Sequence, residues 1–95
     1  MTFEVFKDSL NHDAPPSASI MLHALWYAAR GDWDKAHTLV QDYESGDGAW
    51  IHAYLHRVEG DLGNAAYWYR RAGRPVFSGS LDKEWEEIVR ELIAR

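Results

Sequence analysis

Apolar residues recur along this chain at helical spacing, and nowhere do they alternate for long enough to make a strand. Near the C-terminus, Leu81, Trp85, Ile88 and Leu92 fall four, three and four apart, which predicts one apolar stripe on a helix over 81–94. Ser80 stands in the N-cap position, and Asp82 and Glu84 lie near that helix's positive end. At the other end of the chain, Thr2 caps a short predicted helix carrying Phe3, Phe6 and Leu10 on one side. In the middle, Ile51, Leu55, Val58 and the incoming Leu62 form a narrow aliphatic stripe, while Ala49, Ala53 and Gly60 fall opposite it. Two packable sides predict an interior helix, sandwiched between others. Three breakers divide these segments: the proline-bearing "NHDAPPS", after which Ser17 or Ser19 restarts a helix, then "ESGDG" and "GRPVFSGS". The pattern predicts an all-α fold of about six helices, near 3–10, 18–30, 33–44, 49–59, 62–73 and 81–94, in a single domain over 1–95.

The chain also matches itself. Shifted by 29 residues, "HALWYAARGDWDKAHTLV" falls on "HAYLHRVEGDLGNAAYWY", pairing His23 with His52, Ala24 with Ala53, Gly31 with Gly60, Asp32 with Asp61 and Ala36 with Ala65. A Gly at the end of one helix accepts a left-handed backbone, and the Asp after it caps the next helix. Ala36 and Ala65 are small enough to let two helices approach closely. Each copy therefore reads as helix, short turn, helix, within 17–46 and within 47–75.

These residues resemble the tetratricopeptide repeat family. The first copy supplies Ala24, Gly31, Trp33, Ala36, Val40 and Tyr43; the second supplies Ala53, Gly60, Leu62, Ala65, Tyr69, Ala72 and the nearby Pro75. The resemblance covers residues 17–75 and implies antiparallel hairpins stacked as a right-handed array, serving as a non-catalytic protein–protein interaction or scaffold module. Two features depart from the family: the period is 29 instead of about 34 residues, and His23 and His52 stand where an aliphatic residue is usual.

Composition narrows the function classes. The chain has 95 residues, five Trp and no Cys, so thiol catalysis, thiolate metal sites and disulfides are excluded, and the cytoplasm is the simplest setting. The longest mostly apolar run, "ASIMLHALWYAA", is too short for a bilayer, and "MTFEVFKDSL" has no signal-peptide pattern, so no membrane partner is expected. Net charge is −5 and uneven: −4 over 32–48 but +2 over 49–75. An acidic total argues against nucleic acid as a partner. No nucleophile elbow or phosphate-cradling loop occurs, so neither an enzyme nor a cofactor is expected.

Three groups of side chains carry candidate chemistry. Trp50, Tyr54 and Arg57 line one flank of the 49–59 helix, an interface-like composition for contact with another protein or a second copy. Tyr67, Arg70, Arg71 and Arg74 form a basic ridge suited to a carboxylate or phosphate. His52, His56 and Glu59 line the other flank, and histidines four apart on a helix can point at one metal ion. Ala53 occupies the place of the Glu in an HExxH arrangement, so the usual metalloprotease base is missing. Against each group stands a structural alternative: buried rings, arginines paired with the acidic "DKEWEE", and imidazoles hydrogen-bonded across the helix packing. No metal is the default expectation, and His37 reads as part of a solvated face.

Overall fold

The computed structural model describes all residues, 1–95, and is all-helical. The helices are α1 (Phe3–Asp8), α2 (Ile20–Ala29), α3 (Trp33–Val40), α4 (Gly46–Val58), α5 (Leu62–Ala72) and α6 (Leu81–Ala94), with a 3-10 turn at Ser9–Asn11 after α1. The predicted caps are present: Thr2, Ser19, Asp32, Asp61 and Ser80 each accept a hydrogen bond from the backbone N–H three residues on.

The α2–α3 and α4–α5 turns are built alike. Gly31 and Gly60 have φ of +82° and +83°, where a side chain would be strained. The N–H of Asp32 bonds the Tyr27 carbonyl at 2.9 Å, and that of Asp61 bonds the His56 carbonyl at 2.9 Å. The two glycines and the two aspartates thus do the same work in both turns.

Helix α4 runs through the middle, packed against α2, α3, α5 and α6. Every residue from Gly48 to His56 is buried. That is the interior helix its two packable sides predict. One core of 18 residues extends from Phe3 to Val89, drawing on all six helices. Trp85 ties α6 into it, with its ring 5.9 Å from those of Phe3 and Phe6 and its indole N–H donating to the Leu25 carbonyl at 2.8 Å.

Three boundaries differ from the sequence pattern. Helix α2 starts after Ser19 instead of at 18, because Ser19 is the capping residue. Helix α3 ends at Val40 instead of 44, where a turn closes with the N–H of Tyr43 on the Val40 carbonyl. Helix α4 begins at Gly46, inside the segment that reads as a break. Its backbone passes so close to Tyr43 that a Cβ on Gly48 would lie 2.2 Å from Tyr43 Cβ, so the glycine permits the early start. The α6 stripe is also rotated: Trp85, Ile88 and Val89 are buried with Glu84, while Leu81 stays 36% exposed.

Candidate metal centre

Two polar clusters flank α4, and only one is complete. On the first flank, Arg57 donates to Glu84 at 2.6 Å and to the Gly79 carbonyl at 2.7 Å, and the Tyr69 hydroxyl donates to the other oxygen of Glu84. Glu84 is 1% exposed, so its carboxylate sits in the interior with both oxygens bonded by donors. Burial and the Glu84 carboxylate drive the Tyr69 phenol pKa far up, which keeps it a donor.

This arrangement resolves the residues expected on a contact surface. Trp50 and Tyr54 are interior, at 4% and 6% exposure. Arg57 is committed to Glu84, and Arg74 lies 3.4 Å above the Trp50 ring while bonding Glu91. Arg71 donates to the Glu44 carbonyl at 2.8 Å and to the Tyr67 hydroxyl at 3.3 Å. Tyr67, Arg70 and Arg71 are at the surface.

The other flank gathers three histidines. His52 is 2% exposed, with its ring stacked on Trp68 of α5 at 4.1 Å and 11°. Its Nε2 lies 2.9 Å from the Val40 carbonyl at the end of α3. A carbonyl only accepts, so Nε2 carries the proton and Nδ1 holds a bare lone pair. That Nδ1 is the one buried side-chain nitrogen or oxygen in the protein without a hydrogen-bond partner. One turn further along α4, the His56 Nδ1 donates to Glu59 at 2.6 Å, which leaves Nε2 as the nitrogen that could face a ligand.

The third ring is His37. It stacks on Trp33, one turn earlier on α3, at 4.8 Å and 8°, and stands edge-on to His52 with centroids 5.1 Å apart. The Trp33 indole donates to the Leu55 carbonyl of α4 at 2.7 Å. Together with the His52–Val40 bond, this fixes α3 against α4 and points His37 at the α4 histidines. Each of the three can offer a ligand nitrogen, and these nitrogens lie within 4.8 Å of one another. His37 is half-buried, so the cluster reaches the surface on its side.

Electrostatics keep the cluster ready for a cation. Burial, opposed by the Val40 bond and reinforced by His37 and His56, lowers the His52 pKa below the ordinary imidazole value. Burial and the neighbouring His56 lower that of His37, against a raising effect of Glu59 and Asp34. Both rings are therefore neutral at pH 7, the form that ligates metals.

The ligand set differs from the His52, His56 and Glu59 arrangement that the α4 pattern offers. Glu59 serves as hydrogen-bond acceptor for His56, and His37 takes the third place. His37 is therefore not part of a solvated face. Nothing in its own helix links it to residues some fifteen positions away. The available signal was Trp33 one turn before it, an aromatic able to hold the ring on the buried side of α3. A second grouping, His56 with Glu59 and Asp61, is more exposed, and Asp61 is already engaged as the α5 cap.

No helix is long and apolar enough to cross a membrane. Comparison with protein-family models, with curated proteins and with solved structures finds no match, so the chemistry of the cluster rests on its own geometry.

Proposed function

We propose that this protein is a non-catalytic binding domain whose ligand is a single divalent transition-metal ion of the zinc, copper or nickel class, held by His37, His52 and His56. The observation that carries this reading is the bare Nδ1 of His52. A buried polar atom without a partner costs about 1–3 kcal/mol, and a metal ion would satisfy the lone pair directly. Two of the three imidazoles also have their second nitrogen anchored, by the Val40 carbonyl and the Glu59 carboxylate, which is the outer-shell pattern of metal-ligating histidines. Three imidazoles without thiolate suit zinc, copper and nickel and offer little to calcium or magnesium, which take oxygen ligands. His37, the least buried ring, has the freedom to make the final adjustment that bonds of about 2.0–2.1 Å require.

The test is a titration of untagged, metal-free protein with zinc, nickel and calcium. A stoichiometric zinc or nickel complex is expected, with no response to calcium. At a free-ion concentration a hundred times the dissociation constant, binding adds about 2.7 kcal/mol, which raises the melting temperature by roughly 10–20 °C in a domain of this size. His37→Ala removes one ligand from a half-buried position and should abolish that rise. Wild-type protein that holds no stoichiometric zinc, nickel or copper would sink the proposal.

A second reading treats the domain as a protein-contact or scaffold module built on tetratricopeptide-like hairpins. Its support is the shared geometry of the two Gly–Asp turns. The surface left to it comprises Tyr67, Arg70 and Arg71, since Trp50 and Tyr54 are interior. The measurement is binding of a pulled-down partner, or self-association in sedimentation, by wild type and Tyr67→Ala. Equal behaviour of the two would remove Tyr67 from any contact surface.

A further inference from the structure

A cavity of about 300 Å³ opens where α1, the end of α2 and the start of α6 meet, and none of the three histidines lines it. Phe3, Leu10 and Trp85 form apolar walls, and Tyr54 reaches it from the central helix α4. Such a volume is at the lower end for small-molecule sites, enough for a single-ring compound.

Tyr54 is the informative residue. Most buried phenol and indole groups find a partner when a chain folds. Here Tyr69 donates to Glu84, Trp26 to Ser9 and Trp85 to the Leu25 carbonyl. Tyr54 is 6% exposed and lines the cavity, and its hydroxyl, which bonds nothing in the protein, is open there instead of sealed in the core. Burial, with the carboxylates of Glu84 and Asp82 nearby, pushes its pKa up to about 12. The hydroxyl is thus a neutral group, able to donate one hydrogen bond and to accept others.

Asp82 of α6 and Lys7 of α1 line the cavity, and neither takes part in any of the chain's ion pairs. Glu86, one turn on from Asp82, is paired with Arg90, whose guanidinium stands 4.3 Å over the Phe3 ring. Asp82 is thus the one carboxylate of the lining without an ion-pair partner.

We propose that this cavity is a binding site for a small primary amine carrying one aromatic ring. The ring would sit between Phe3, Leu10 and Trp85, and the ammonium would bond the Tyr54 oxygen and the Asp82 carboxylate. This supplies the partner that the Tyr54 hydroxyl lacks and the cation that Asp82 lacks. A carboxylate ligand would gain Lys7 but meet the unpaired charge of Asp82, so the site favours the amine. The inference is independent of the metal site, with which it shares no residue.

Backbone amide shifts in a heteronuclear NMR titration at pH 7 test it, with phenethylamine and phenylacetate as matched probes. Saturable shifts on residues 3–10 and 82–86 are expected for phenethylamine, with a dissociation constant of about 1 mM or tighter. Phenylacetate should give none. Asp82→Asn, an exposed change that leaves the fold intact, should weaken the amine about tenfold, the size of one charge-assisted hydrogen bond. Tyr54→Phe, checked for folding by circular dichroism, should weaken it as well. Three outcomes overturn the proposal: no saturation by the amine, equal or tighter binding of phenylacetate, or amine binding that ignores Asp82→Asn.

Discussion

The two flanks of α4 bury polar groups in opposite ways. On the Arg57 flank, a carboxylate at 1% exposure has both oxygens bonded, one to a guanidinium and one to the Tyr69 phenol. On the His52 flank, a ring of similar burial keeps one nitrogen bonded to Val40 and leaves the other bare. A closed network specifies how α4, α5 and α6 pack, and it has nothing left with which to bind. An open one costs stability and persists where a ligand completes it. The bare lone pair is what supports the proposed ligand on the His flank, while the Glu84 carboxylate on the arginine flank offers no unbonded oxygen.

Removing the central member of each cluster sharpens that contrast. Glu84→Ala should be the most damaging change, because it strands the Arg57 charge and the Tyr69 hydroxyl together. Breaking a buried pair from one side costs about 3–5 kcal/mol, read from the midpoint of urea unfolding. A loss under about 1 kcal/mol would mean that Glu84 is not what holds that flank. Glu59→Gln probes the other flank at its rim. The side chain is exposed, so unfolding should barely change. Zinc affinity should fall about 10–100-fold, since an outer-shell carboxylate orients His56 and strengthens it as a ligand. Equal zinc affinity in Glu59→Gln would remove the carboxylate from the site.

Much of the scaffold was legible in the sequence. The two-sided pattern of residues 49–62 predicts a sandwiched helix, and α4 is buried from Gly48 to His56. The paired Gly–Asp positions give both turns, because left-handed backbone and N-capping are local demands met by residue type. Glu84 was legible only as a charge near the start of α6. Its burial depends on Arg57 and Tyr69 arriving from two other helices, and with it the inward face turns away from Leu81. The histidine cluster was half visible. The His52–His56 spacing lies within one helix, but His37 joins them through the packing of α3 on α4, fixed by the Trp33–Leu55 bond. For Tyr54 the sequence leaves a buried ring and a contact surface both open, because its flank ends in Arg57. Its burial follows from α6 covering that flank, a long-range relation that no local pattern carries.

His52→Phe asks whether the bare nitrogen is as costly as its burial implies. The ring keeps its stack on Trp68, the unpaired Nδ1 disappears, and the Val40 carbonyl loses one of two donors, keeping the Tyr43 N–H. Removing the orphaned nitrogen offsets the loss of one hydrogen bond, so the net change in metal-free stability should be within about 1 kcal/mol, far below Glu84→Ala. Zinc binding should be lost altogether. A metal-free protein destabilised as much as by Glu84→Ala would make His52 a structural residue and close the difference between the flanks.

The smallest effect is expected from pH, and its sign separates the clusters again. His52 and His37 have folded-state pKa values below the ordinary 6.5, held down mainly by burial. The unfolded chain therefore takes up protons first as pH falls through about 6.5, and the metal-free protein loses stability from there downward until the folded rings protonate as well. Above pH 7 these rings contribute no slope. Urea midpoints of metal-free protein should fall between pH 7.5 and 5.5, and His37→Ala should flatten the decline. Zinc competes with protons for the same lone pairs, so saturating zinc should stabilise the protein more at pH 7.5 than at 5.5. A zinc increment independent of pH would place the ion on carboxylates elsewhere, and the open flank of α4 would then have no ligand.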